Sequence, residues 1–87
     1  MSCKFKILFK PSAIKQYEKL DNVTKSKIKA ILKKLENNPY QLPYKKLVNF
    51  DNLYRVRTGN YRIIYSLFKN ELIIEVIKIG KRENIYD

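Results

Sequence analysis

The chain has no histidine, one cysteine (Cys3), and eight acidic residues against nineteen basic ones in 87 positions. Without histidine, the Ser and Cys triads that depend on it lack their base, and the usual zinc-ligand sets lack a member. A lone cysteine excludes an internal disulfide. No closely spaced acidic pair suits two-carboxylate glycoside chemistry, and neither a P-loop nor a dinucleotide fingerprint occurs. The expectation is a protein without cofactor or metal. Long apolar runs are missing too: the richest stretch, Leu72 to Ile79, is broken by Glu75 and Lys78 and is too short to cross a bilayer. With no apolar h-region at the N-terminus, a cytoplasmic location and no membrane partner are expected.

What is present is positive charge. A net charge of +11 and an isoelectric point near 9.8 create a field that concentrates polyanions, so nucleic acid or an acidic protein is the natural partner. Many lysines, among them Lys25, Lys29, Lys33 and Lys34, read as the solvated face of a helix. The four arginines differ, because Arg55, Arg57, Arg62 and Arg82 all lie in the strand-like C-terminal part, in YRVR, NYRIIY and IKIGKRENIY. A guanidinium grips phosphate through a planar fork that an ammonium does not reproduce. This arrangement points to a phosphate-binding or phosphoryl-transfer site built on a sheet.

The length bounds one domain, residues 1–87, with a core near the lower limit for folding without staples. Between Lys4 and Phe9, lysines alternate with Phe5, Ile7 and Phe9, the period of a strand with one buried face. Pro11 and Ser12 open a short helix carrying Ile14, Tyr17 and Leu20. Asp21 and Asn22 cap a second helix, in which Ile28, Ile31, Leu32 and Leu35 form one apolar face. Asn37, Asn38 and Pro39 end it, and the following PYQLPYKKLVNFDN, without a clean period, reads as a loop that brings Lys45 and Lys46 within reach of a ligand.

From Leu53 the pattern is that of a three-strand antiparallel meander: LYRVRT, a turn at Gly59-Asn60, YRIIYSLF, a turn at Lys69-Asn70, then ELIIEVIKI. In the first two strands the arginines share one face, opposite Tyr54, Val56, Tyr61, Ile63, Tyr65 and Leu67. The third strand breaks parity, so either both of its faces are partly covered or a bulge shifts its register. The fold class is α+β, in the order β-α-α-β-β-β, with two N-terminal helices on one face of a small, twisted, mainly antiparallel sheet.

Cations and tyrosines without metal or histidine suit work on RNA, whose own 2′-OH attacks the adjacent phosphate. The protein must accept that proton, neutralise the charge that develops on phosphorus and protonate the departing 5′-oxygen. Arg62 and Arg82 fit the second task. Tyr86 either stacks on a base or orients the scissile phosphate, or else packs on the sheet, whereas Tyr54, Tyr61 and Tyr65 read as packing residues.

LYRVRTGNYRIIY followed by IGKRENIY resembles the C-terminal signature of the RelE/ParE toxin superfamily, and the whole chain fits the resemblance. It implies the β-α-α-β-β-β fold and a type II toxin that cleaves mRNA, commonly in the ribosomal A site. It also implies a RelB-like antitoxin, with an acidic or amphipathic segment covering Arg62 or Arg82. Carried over residue by residue, Arg62, Arg82 and Tyr86 fall on catalytic positions of the family. RelE-type members carry lysines where this chain has Arg55 and Arg57, which then bind phosphate together with Lys45, Lys46 and Lys81. An arginine does not serve as an ordinary base near neutrality, so the proton acceptor is left among Lys81, Lys45, Lys46 and Tyr86. Two other readings stand beside this one: a ParE-like inhibitor of DNA gyrase, separated by a supercoiling assay, and an inactive RNA-binding module, which would bind without turnover.

Overall fold

The computed structural model describes residues 4–40, 42, 44–47 and 52–81. Among the described residues seven elements follow one another: β1 (Lys6–Phe9), α1 (Pro11–Glu18), α2 (Asn22–Asn37), β2 (Lys45–Lys46), β3 (Leu53–Thr58), β4 (Tyr61–Phe68) and β5 (Ile73–Lys81). The strands lie side by side in the order β1-β5-β4-β3-β2. Only β1 and β5 run parallel, and the other pairs are antiparallel. The expected α+β arrangement therefore holds, with one addition. The segment read as loop contains the two-residue strand β2, held against β3 in the register Lys45 to Arg55 and Lys46 to Tyr54. A backbone hydrogen bond of 2.9 Å from Leu47 N–H to the Leu53 carbonyl closes that pairing.

Turn chemistry sets the hairpins. Thr58 pairs with Tyr61 across the two-residue turn, and Gly59 takes a φ of +57° there. A positive φ at the first central position is the pattern of a type II′ turn and suits glycine. The next turn runs further than expected, because Leu72 adopts a φ of +56°. Such a residue cannot continue a strand, so β5 starts at Ile73 rather than at Glu71. In β5 the ladder slips: Tyr65 faces Val76, yet Ile64 faces Lys78. Ile77 is the extra residue of a bulge, which decides between the two readings of this strand. It turns Lys78 to the face opposite Ile74 and Val76.

The core lies between the helices and one face of the sheet. From α2 come Ile28, Leu32 and Leu35; from the sheet Val56, Ile63, Tyr65, Leu67, Ile74, Val76 and Ile79. At the start of α2, Asp21 is the N-cap and its carboxylate accepts a hydrogen bond from the Thr24 hydroxyl, which holds the carboxyl below its ordinary range. In α1 the buried residue is Ala13, while Ile14 remains 43 % exposed. A small side chain there lets α1 approach β5 closely. β1 stops pairing with β5 at Val76, and Lys10 N–H still reaches the Val76 carbonyl at 3.0 Å. Beyond that point the Gln16 side chain takes the place of the strand, its Oε1 accepting the Ile79 N–H at 2.8 Å. Gln16→Ala leaves that amide without its acceptor. The expected loss is about 1–2 kcal/mol of stability, read as a lower urea midpoint with an unchanged slope; an unchanged midpoint would mean that water replaces the amide at no cost.

Candidate functional site

The second face of the sheet collects cations. Register places Lys45 beside Arg55 across β2 and β3, Arg55 beside Ile64, and Arg57 directly opposite Arg62 across β3 and β4. Partners on an antiparallel ladder hold their Cβ atoms about 4.5–5.5 Å apart, and like charges so placed oppose folding. Arg57 and Arg62 thus bring two guanidinium groups to one place on the sheet. Lys78, beside Ile64 on the neighbouring strand, adds charge to the same face.

The arginines are not simply displayed to solvent, as the alternation of β3 and β4 suggests. Arg55 and Arg62 are buried, 7 % and 6 % exposed, whereas Arg57 is exposed. A second, smaller apolar cluster on this face explains the difference: Leu47 and Ile64, with Leu53 and Ile77 packed against them. Burial reaches the heads of these two side chains as well, since an Nη of Arg55 and the Nε of Arg62 are shielded from solvent. Low local polarity strengthens their attraction for an anion.

The other site residues of the sequence divide. Lys46 pairs with Tyr54 and Lys81 with Tyr61, both on the helix side of the sheet by register, and both lysines are exposed. They are thus not brought together with Arg55, Arg57 and Arg62, while Lys45 is. Arg82 and Tyr86 lie outside the described residues. The reading of Tyr65 as a packing residue agrees with its place in the core, at 1 % exposure. Burial, with the neighbouring Tyr44, Tyr54 and Tyr40, pushes its phenol well above the ordinary range, so it cannot accept a proton near neutrality.

Two surface cavities among the described residues differ in character. The larger, about 720 Å³, lies between α1, α2 and β1 and is floored by Ile7, Phe9, Ile14, Tyr17 and Leu32, with Glu18, Lys29, Lys33 and Glu36 on its rim. It is remote from the cation face and brings no set of like charges to one point. The smaller, about 250 Å³, opens where β2 parts from β3; Tyr44, Lys45, Arg55 and Arg57 wall it, and Ile31, Leu42 and Val56 give it an apolar side. Sequence reasoning passed over Tyr44, whose only signal was its place beside Lys45 and Lys46. It also missed Lys78, hidden by the bulge that reverses its facing.

The model of a protein family described as the ParE toxin of the type II toxin–antitoxin system parDE matches residues 7–86. The chain belongs to the RelE/ParE toxin superfamily. Toxin RelE3 of Methanocaldococcus jannaschii is 30 % identical over 86 residues, covering 94 % of this chain and 96 % of that protein. The mRNA interferase toxin RelE of Escherichia coli K12 is 27 % identical over 77 residues, 86 % of this chain and 80 % of that protein. Among solved structures, a RelB–RelE antitoxin–toxin complex from Methanococcus jannaschii superposes with a TM-score of 0.75 at 28 % identity, covering 92 % of this chain and 95 % of the matched one. This RelE-like toxin thus shares both its sequence pattern and its fold with those relatives.

Proposed function

We propose that this toxin is a metal-free endoribonuclease that cuts mRNA, acts at the ribosomal A site and is neutralised by a RelB-like antitoxin. The observation that carries the reading is the direct opposition of Arg57 and Arg62, with Arg55 and Lys45 beside them on one face. The names of the relatives, an mRNA interferase among them, support it.

In the proposed reaction the 2′-oxygen of one nucleotide forms a bond to the adjacent phosphorus as its proton passes to a base. The bond from phosphorus to the 5′-oxygen breaks, and that oxygen takes up a proton. The products are a 2′,3′-cyclic phosphate and a 5′-hydroxyl. Arg62 and Arg57 meet the charge that builds on the non-bridging oxygens, which is the step where fixed donors contribute most. Arg82 and Tyr86 join them by the family resemblance. Lys45 is the described lysine from the acceptor set that shares the face of the arginines. The apolar groove between α1, α2 and β1 suits the non-polar side of an antitoxin helix, a recognised mode of capture.

The test is incubation of the purified protein with a 5′-labelled mRNA in EDTA, with and without programmed ribosomes. Discrete cuts ending in a 2′,3′-cyclic phosphate, within the A-site codon when ribosomes are present, are expected. A second reading, inhibition of DNA gyrase, draws on the ParE identity of the matched family model. Intact RNA in both arms together with blocked supercoiling would replace the first reading with the second.

A further inference from the structure

Four tyrosines form a continuous file of rings from the core to the surface beside the smaller cavity. Tyr65 stacks on Tyr54 at 5.9 Å, Tyr54 meets Tyr44 edge-to-face at 5.6 Å, and Tyr44 meets Tyr40 edge-to-face at 5.9 Å. The inner end is fixed, since Tyr65 is fully enclosed, while Tyr44 and Tyr40 are each 45 % exposed. Two ring contacts hold Tyr44 in place and still leave nearly half of it open. A restrained ring gives up little freedom when a ligand lands on it.

We propose that this cavity is a nucleotide subsite for single-stranded RNA, in which an unpaired base stacks on Tyr44 while Lys45 and Arg57 hold the adjoining phosphate. The subsite rests on RNA being the substrate and goes further by assigning a place to a nucleotide next to the one being cut. Its chemistry is that of a nucleotide: an aromatic wall from Tyr44, an apolar side from Ile31 and Val56, and cations in the lining. An acidic peptide would use the cations but has no flat π-face for the ring. Duplex RNA would also be a poor occupant, because its bases are already stacked on one another.

Position adds to the argument. Arg57 belongs both to the cavity wall and to the pair with Arg62. A strand whose phosphate sits between those two arginines therefore has its neighbouring nucleotide at the cavity mouth. Stacking is tolerant of base identity, so the subsite sets register along the strand more than it reads sequence.

The experiment uses the full chain and a fluorescein-labelled oligouridylate with 2′-O-methyl sugars, which cannot be cut. Tyr44→Ala is expected to weaken binding about tenfold, the loss of one base stack, and Tyr44→Phe to bind as the native protein does. Both variants should melt within a few degrees of it. A single 4-thiouridine in the same oligomer should crosslink to the peptide that carries Tyr44. Equal affinity for the native protein and Tyr44→Ala would overturn the subsite. So would displacement of the oligomer by polyglutamate as effectively as by unlabelled single-stranded RNA. Cleavage is scored separately on unmodified RNA: cutting with unchanged Tyr44→Ala affinity removes only the subsite, whereas a Tyr44-dependent affinity without cutting removes only the nuclease.

Discussion

Arg62→Ala is expected to lower the rate of RNA cleavage about a hundredfold to a thousandfold, the scale seen when one donor to a developing anion is removed. The loss should appear at saturating RNA, with a much smaller change in affinity, because the proposed contact strengthens as the phosphorus gathers charge. Arg62 is buried, so truncation also opens space within the sheet. The melting point must be followed beside the rate, and Arg62→Lys supplies the control. It keeps a positive charge and most of the stem but loses the planar fork. If the lysine variant is as stable as the native protein and still slow, the defect belongs to geometry at the phosphate. A uniform, modest weakening of RNA binding in both variants, with no rate to lose, would place the chain among inactive binding modules.

The second large effect concerns the core. Leu35 is fully enclosed on the inner face of α2 and packs against the sheet that carries the arginines. Leu35→Ala should cost about 2–5 kcal/mol, the lost transfer energy plus the cavity left behind. In a domain of this size the whole margin is about 5–15 kcal/mol, so much of the protein's stability goes with one side chain. Ile14→Ala, at a position 43 % exposed, should stay within about 0.5 kcal/mol of the native protein. Paired urea titrations followed by circular dichroism read both. Equal losses would mean that α1 turns a different side to the sheet from the one described here.

That contrast also shows where the sequence was informative. Ile28, Leu32 and Leu35 recur at helical spacing on a helix long enough to average out exceptions, and the alternation of β1, β3 and β4 was equally plain. α1 was harder, since over two turns the apolar Ile14 outweighed the small Ala13, although it is the alanine that allows close packing. β2 had no signal of its own, because two adjacent lysines carry no period and only the neighbouring strand fixes them. The cation face was legible in residue type and only partly in surroundings. Nothing local announced that Leu47 and Leu53 would join Ile64 and Ile77 and draw Arg55 and Arg62 inward. The facing of Lys78 was left open by the sequence, which allowed a bulge in this strand without placing it, because a bulge changes facing without changing composition. Arg82 and Tyr86 rest on the family resemblance, outside the described residues.

The parallel pairing described in the sheet joins β1 to β5, Lys6 to Ile73 through Phe9 to Val76. Contacts so far apart in sequence are slow to form, because almost the whole chain must be closed into a loop before they yield anything. During synthesis β1 emerges before β5 and waits, with α1 behind it, for a neighbour made much later. The interior position of β5 makes the wait general: it touches β1 on one side and β4 on the other, and α1 is tied to it through Gln16. A chain that stops short of β5 therefore has no joined sheet, and its cation face lacks Lys78.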